Sequence, residues 1–177
     1  MSEAKAFVPV KLICGMISSQ NIVFEKAEDS LKDLYGPVDF FSQLITFTFT
    51  DYYEKEMGAN LKRKFLSFQQ LIPPENLSEI KIRTNKLEEE LKQEYEIPQR
   101  IMNLDPGFLT ASSLFMATAK DFAHRVPLQH GIYAHLELLF GKKKIRTLDW
   151  TYPDYKTENY QKFFLAVRKI YLDQLKA

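Results

Sequence analysis

Cysteine and tryptophan each occur once in 177 residues. A lone cysteine rules out a disulfide framework, and its place in the run Leu12, Ile13, Cys14 predicts a small buried hydrophobe in place of a reactive thiolate. Neither sign of charge dominates: 24 Lys and Arg stand against 23 Asp and Glu. That balance excludes whole-molecule attraction to nucleic acid and leaves room only for a local basic patch. Long apolar runs are missing too. The first stretch is interrupted by Pro9 and Lys11 and ends by Ile17, too short and polar for a signal or membrane-spanning segment. A cytoplasmic protein without membrane contact is expected. There is no internal repeat, low-complexity tract or linker, so the chain is read as one domain, residues 1–177.

What is present is a hydrophobic content of 45%, enough for a continuous core. Val10 to Ile17 reads as a buried first strand. From Asn21 to Tyr35, Phe24, Ala27, Leu31 and Leu34 recur at helical spacing, and Gly36 and Pro37 close the helix. Leu44 to Thr50 alternates phenylalanine with threonine and predicts a half-buried strand. A further strand is expected over Lys64 to Leu71, ended by Pro73 and Pro74. Leu77, Ile80, Thr84, Leu87 and Leu91 mark a second helix that Pro98 stops, and Leu114 to Ala119 supplies the next strand. The resulting fold class is α+β: an antiparallel sheet with a ferredoxin-like (split βαβ) core. C-terminal β-hairpin strands extend it over 122–151. Tyr160, Phe164, Val167 and Tyr171 mark a C-terminal helix with Thr157 as its N-cap.

All three histidines lie between Lys120 and Glu137. With Gln129, His130 and Gly131 as a three-residue turn, Val126 faces Ala134 and Leu128 faces Ile132, so the apolar residues match. Arg125, Tyr133, His135 and Glu137 then share one face and His124 lies on the other. On this register the histidines do not converge as a metal site would require. Lys120, Asp121, His124 and Arg125 form a candidate anion site, in which the cations hold the ligand and Asp121 orients His124. A salt-bridged strand end is the plainer reading.

Asn103 to Gly107 is expected to be a turn that lets a ligand approach closely. With Thr110, Ser112 and Ser113 following, Asp51 and Asp105 become candidate Mg²⁺ ligands, with Glu54 in the same cleft. Tyr152 belongs to an aromatic, proline-fixed segment before the last helix and is a candidate stacking surface. Arg83 and Asn85 flank Thr84 on the second helix and complete the candidate ligand-binding set.

Thr50-Asp51-Tyr52-Tyr53, Arg83-Thr84-Asn85, Leu104-Asp105-Pro106-Gly107, Lys120-Asp121-Phe122-Ala123-His124-Arg125 and Thr151-Tyr152-Pro153-Asp154-Tyr155 together carry a resemblance. The chain resembles a prokaryotic domain-of-unknown-function family of about this length, whose members often carry the label GTP-binding protein. The resemblance implies a family identity and, through the label, a bound nucleotide. The residues show no P-loop to match. Gly141-Lys142 is followed by Lys143, and Leu136 stands where the motif requires its first glycine. Asn85-Lys86-Leu87-Glu88 is only a loose likeness of the guanine-reading Asn-Lys-x-Asp.

The leading functional expectation is therefore a protein that binds a nucleotide or other phosphorylated small molecule without a P-loop. Any hydrolysis would rest on Mg²⁺. The alternatives are a non-catalytic interaction or assembly module and, less favoured, an RNA-binding module that uses Lys62, Arg63, Lys64, Phe65 and Phe68 as a basic aromatic strand. The sequence sets no oligomeric state.

Overall fold

A computed structural model describes residues 3–50, 52–142 and 144–176. Among the described residues nine strands form one sheet: β1 (Val10–Ser18), β2 (Val38–Phe41), β3 (Ile45–Thr46), β4 (Lys62–Ile72), β5 (Asn103–Leu109), β6 (Ser113–Thr118), β7 (Arg125–Pro127), β8 (Tyr133–Phe140) and β9 (Ile145–Thr147). The helices are α1 (Asn21–Tyr35), the single turn α2 (Glu54–Met57), α3 (Leu77–Glu94) and α4 (Glu158–Gln174). The main strand order is β2-β4-β1-β5-β6-β8-β7, with β3 added to β4 and β9 to β8. Every ladder among these strands is antiparallel.

The sheet is covered on both faces, which explains why β1 is buried along its whole length. Leu12, Cys14 and Met16 point to a core completed by Val23, Phe24, Ala27 and Leu31 of α1 and by Ile80, Leu87 and Leu91 of α3. Ile13 points the other way, into a core shared with Phe65, Leu109 and Leu138 and roofed by Tyr160, Phe163, Phe164 and Val167 of α4. The side-chain period of two divides the strand between these layers. At its far end Tyr171 donates through its hydroxyl to the Pro9 carbonyl, 2.9 Å away, and Lys11 Nζ donates to Gln174 Oε1 at 2.8 Å while pairing with Asp39.

Helix α1 has the expected bounds. Gly36 ends it at φ 86°, with its N–H on the Lys32 carbonyl at 2.8 Å. Three expectations are corrected. The alternating segment Leu44–Thr50 pairs with β4 only at Ile45 and Thr46, opposite Arg63 and Lys62. Beyond Thr46 the partner strand has run out, so the chain leaves the sheet. Phe47 turns into a small cluster with Ile17, Met57 and Leu61, and Phe49 stays partly exposed. The strand after α1 is instead β2, four residues hidden behind Pro37.

The second correction is larger: Asn103 to Gly107 is no turn but most of β5, a central strand between β1 and β6. Pro106 is tolerated because pairing to β6 begins only at Gly107, so the residue without an N–H precedes the second ladder. Gly107 is required by space, since a Cβ there would lie 2.4 Å from the Phe115 carbonyl oxygen. The turn itself falls at Thr110, whose N–H donates to the Ser113 carbonyl and whose Oγ1 accepts from the N–H groups of Ser112 and Ser113. Those hydroxyls thus sit beyond the end of β5 remote from Asp105.

The hairpin has the expected register, with Val126 opposite Ala134, the Leu128 N–H on the Ile132 carbonyl and Gly131 at φ 71°. The third correction concerns His124. It precedes β7, escapes strand alternation and swings onto the face of His135. Before α4, Thr157 occupies the N-cap position, but its hydroxyl donates backward to the Asp154 carbonyl at 2.7 Å and does not cap the helix. No helix among the described residues is long and apolar enough to cross a membrane.

Candidate functional site

Where β4 and β5 begin and β6 ends, the sheet borders a cavity of about 480 Å³. Strand alternation puts Arg63 on the face of Phe65, inside the α4 layer, and the missing side chain of Gly15 on β1 gives its guanidinium room. Arg63 Nη2 donates to Asp105 Oδ2 and to the Tyr155 hydroxyl, each at 3.1 Å, and Nη1 lies 3.6 Å from Asp154 Oδ2. The Phe65 ring lies beneath, 4.9 Å from the guanidinium carbon. Burial works against the charge, but Tyr155, Asp105, Tyr160 and Asp154 outweigh it and hold the Arg63 pKa above its ordinary value. Asp154 is affected the other way: burial pushes its carboxyl up, opposed by Arg63.

Asp105 anchors a second group of cations. Its Oδ2 also accepts from Asn103 Nδ2 at 2.7 Å, and Lys81 Nζ, reaching over from α3 to the Leu104 carbonyl at 2.6 Å, lies 3.8 Å from Oδ1. Arg100 donates to Asn103 Oδ1 at 2.5 Å and to Glu88 Oε2 at 2.6 Å. Glu88 in turn accepts the Leu104 N–H at 2.7 Å. Burial raises the Glu88 pKa, with Arg100 and Lys81 pulling it back down.

The walls are aromatic. Phe47, Phe49, Tyr52 and Tyr53 come from the segment that left the sheet after β3, and Tyr152 and Tyr155 from the segment before α4. At the mouth, Lys120 Nζ lies 4.1 Å from the centroid of the Tyr52 ring.

Tyr152 is fixed from behind. Its ring stacks on the His135 imidazole, with centroids 5.3 Å apart, and its hydroxyl accepts from Arg125 Nη2 at 2.7 Å. Arg125 also donates through Nε to His135 Nδ1 at 3.1 Å and through Nη1 to the Lys120 carbonyl at 2.7 Å. With Nδ1 accepting, a neutral His135 carries its proton on Nε2, 2.8 Å from Glu137 Oε2. Neither of those two buried atoms has an aligned hydrogen-bond partner among the described residues. The Tyr152 N–H donates to Glu137 Oε1 at 2.7 Å. His124 completes the cluster, its Nε2 3.2 Å from His135 Nδ1 and its ring stacked on Trp150. His124 and His135 therefore meet, although the sequence reading put them on opposite faces, and His130 remains apart at the hairpin tip.

Of the residues expected at a ligand site, Asn85, Asp105, Lys120 and Tyr152 line this one cavity. Arg125 and His124 stand a layer behind it. Arg83 does not contribute; it pairs with Glu90 on the outer flank of α3 at 2.8 Å. Asp121 is exposed and outside the lining. Asp51 lies outside the described residues. Asp105 faces three nitrogen donors, the reverse of an oxygen-rich cation site, and no three His, Cys, Asp or Glu side chains converge as a metal site among the described residues.

Sequence reasoning missed Arg63, Lys81, Arg100, His135, Asp154 and Tyr155 as lining residues. For Arg63 the signal was present, since alternation gives it the face of Phe65. The basic aromatic strand proposed for RNA is closed off: Phe65 and Phe68 are fully buried on opposite faces and Arg63 is buried with them.

Compared with known proteins, residues 8–171 match one family, described as a domain of unknown function (DUF4416). No curated protein and no solved structure matches the chain.

Proposed function

The chain belongs to this family of unknown function, and we propose from its own residues that it binds an anionic small molecule with a flat ring, a nucleotide or another phosphorylated compound. One observation carries the reading. A single cavity combines six aromatic side chains with four cations, Arg63, Lys81, Arg100 and Lys120, against two carboxylates, Asp105 and Asp154. Its volume is in the range of small-molecule sites. Aromatic faces stack on a ring, and the surplus of cations favours an anion. Asn85 offers a donor and an acceptor for the polar edge of such a ligand.

The label GTP-binding is compatible with this reading only without the usual phosphate-binding loop, which the sequence lacks. The strand order β5-β1-β4-β2, with α1 and α3 on one face, supports a ferredoxin-like core extended by β6 to β9. Such a core says nothing of activity by itself. In this reading the chain is one domain and works in the cytoplasm.

Thermal unfolding in the presence of nucleotides and sugar phosphates, with and without Mg²⁺, tests the proposal. A ligand at about a hundred times its Kd adds roughly 2.7 kcal/mol, a rise of a few degrees. The shift should weaken in Tyr152→Ala. Absence of any shift across the panel would remove the reading.

A second reading, an interaction module, is supported by the edge strand β7. Phe122 and Val126 are more than 60% exposed, and Leu128 is 40% exposed beside them. Loss of self-association or partner capture in Val126→Lys would support it.

A further inference from the structure

Resting on the phosphate-ligand reading, we infer that Arg63 and Asp154 decide which ring the cavity takes: one whose edge carries a hydrogen-bond acceptor beside a donor, as a ring amide or an aminopyrimidine does. The acceptor takes an N–H of Arg63 Nη1, and the donor bonds the Asp154 carboxylate. These two groups lie side by side in the cavity wall, and the fold leaves both without partners. Arg63 is 3% exposed and Asp154 5%. Nη2 of the guanidinium is spent on Asp105 and the Tyr155 hydroxyl, and Nε is sealed, unbonded, beside Gly15. Nη1 makes no hydrogen bond among the described residues, since Asp154 Oδ2 stands 3.6 Å away, beyond bonding distance. Nor does any other described residue donate a hydrogen bond to the Asp154 carboxylate. Neither Nη1 nor that carboxylate is sealed as Nε is, and both residues line the cavity. A buried donor and a buried acceptor left unpaired are costly, and a ligand edge of the complementary pattern satisfies both at once.

The pair is held in place from both sides. The Asp154 carbonyl accepts the Thr157 N–H at 3.1 Å and the Thr157 hydroxyl at 2.7 Å, and Pro153 fixes the backbone before it. The backward turn of the Thr157 hydroxyl, useless to α4 as a cap, thus anchors Asp154. Across the gap Asp105 bonds Nη2 at 3.1 Å, so Arg63 has a closer counter-ion and does not need Asp154 for that purpose. With a carboxylate on each side of Arg63, a phosphate is repelled from this end of the cavity and a neutral ring edge is not. Aromatic surface adjoins the pair, because Tyr152 and Tyr155 flank Asp154 in the chain and line the same cavity.

Calorimetric titration of the full chain, with Mg²⁺ present throughout, decides the matter. The probes are nucleoside monophosphates of uracil, guanine, adenine and cytosine, each beside the derivative methylated at the donor nitrogen of its edge, and ribose phosphate, which has hydroxyls but no ring edge. At least one nucleotide should bind roughly tenfold tighter than both its methylated derivative and ribose phosphate. Asp154→Ala should bind parent and methylated forms alike. Asp154→Asn, which keeps an acceptor oxygen and the size of the side chain, should keep part of the preference, whereas a merely structural role for Asp154 would move both affinities together. An unchanged preference in Asp154→Ala overturns the assignment. Equal binding of parent and methylated forms by the unaltered chain means that the pair holds only water, and ribose phosphate binding as tightly as every nucleotide means that the sugar is read instead. Either result overturns the inference and leaves the phosphate-ligand reading standing. If none of these phosphorylated compounds binds, both readings fail.

Discussion

Gly15 and Arg63 share one volume: a Cβ added to Gly15 would lie 2.7 Å from Arg63 Nη2 and 2.9 Å from the Phe65 ring. The floor of the cavity thus depends on an absent side chain on the neighbouring strand. Gly15→Ala should displace the guanidinium and cost about 1–3 kcal/mol through overpacking. Urea denaturation measures the cost. An unchanged midpoint would mean that Arg63 has somewhere else to go.

Removing the guanidinium should cost more than crowding it. Arg63→Met leaves Asp105 and Asp154 half-buried or buried beside an apolar chain, and loss of one partner of a buried pair typically costs about 3–5 kcal/mol. Adding Asp105→Asn relieves part of that penalty, so the double variant should lose less than the two single variants together. Strict additivity would show that the two residues do not interact as described.

Trp150, the one tryptophan, reports on His124, since their rings stack 4.7 Å apart at 9°. Burial, then His135 and Arg125, lower the His124 pKa from its ordinary value of 6.5, with Glu137 acting weakly against them. A lowered histidine pKa favours the native state above about pH 6.5, and that contribution is lost as pH falls through the folded value. A fluorescence titration should show Trp150 quenching with its midpoint below 6.5, absent in His124→Gln. A midpoint above 6.5 would contradict the arrangement.

Cys14 faces the α1 and α3 layer, and burial, with Asp105 adding to it, pushes its thiol pKa up. It should stay unreactive toward a thiol reagent in the native protein and react fully once unfolded. Labelling at the rate of a free thiol under native conditions would argue against β1 as a strand buried on both faces.

Strand β1 and helices α1, α3 and α4 were legible because long apolar patterns and their stops are local properties. The hairpin register was legible for a related reason, as Gly131 and the match of Val126 with Ala134 fix it from within one segment. β5 was not. Pro106 and Gly107 carry the local chemistry of a turn, and only the late start of the β6 ladder makes a strand acceptable there. Half of the expected ligand set reached the cavity: Asn85 was marked as a polar flank of the second helix, Lys120 by its cluster of charges, Tyr152 by its proline-fixed segment, and Asp105 by a turn that proved to be strand β5. Alternation can put Arg63 on the face of Phe65, but its meeting with Lys81 and Arg100 at Asp105 and Asn103 joins α3, β4 and the lead-in to β5 across the fold and is not a matter of spacing.

The bonds joining α4 to β1, from Tyr171 to Pro9 and from Lys11 to Gln174, link residues about the whole chain length apart. During synthesis the α4 side of the first strand, with Ile13 and the buried Lys11, must therefore wait bare until α4 itself has left the ribosome. Contacts of such separation slow folding and leave apolar surface open to other chains meanwhile. A nascent chain stalled before α4 should be the most chaperone-dependent form of this protein.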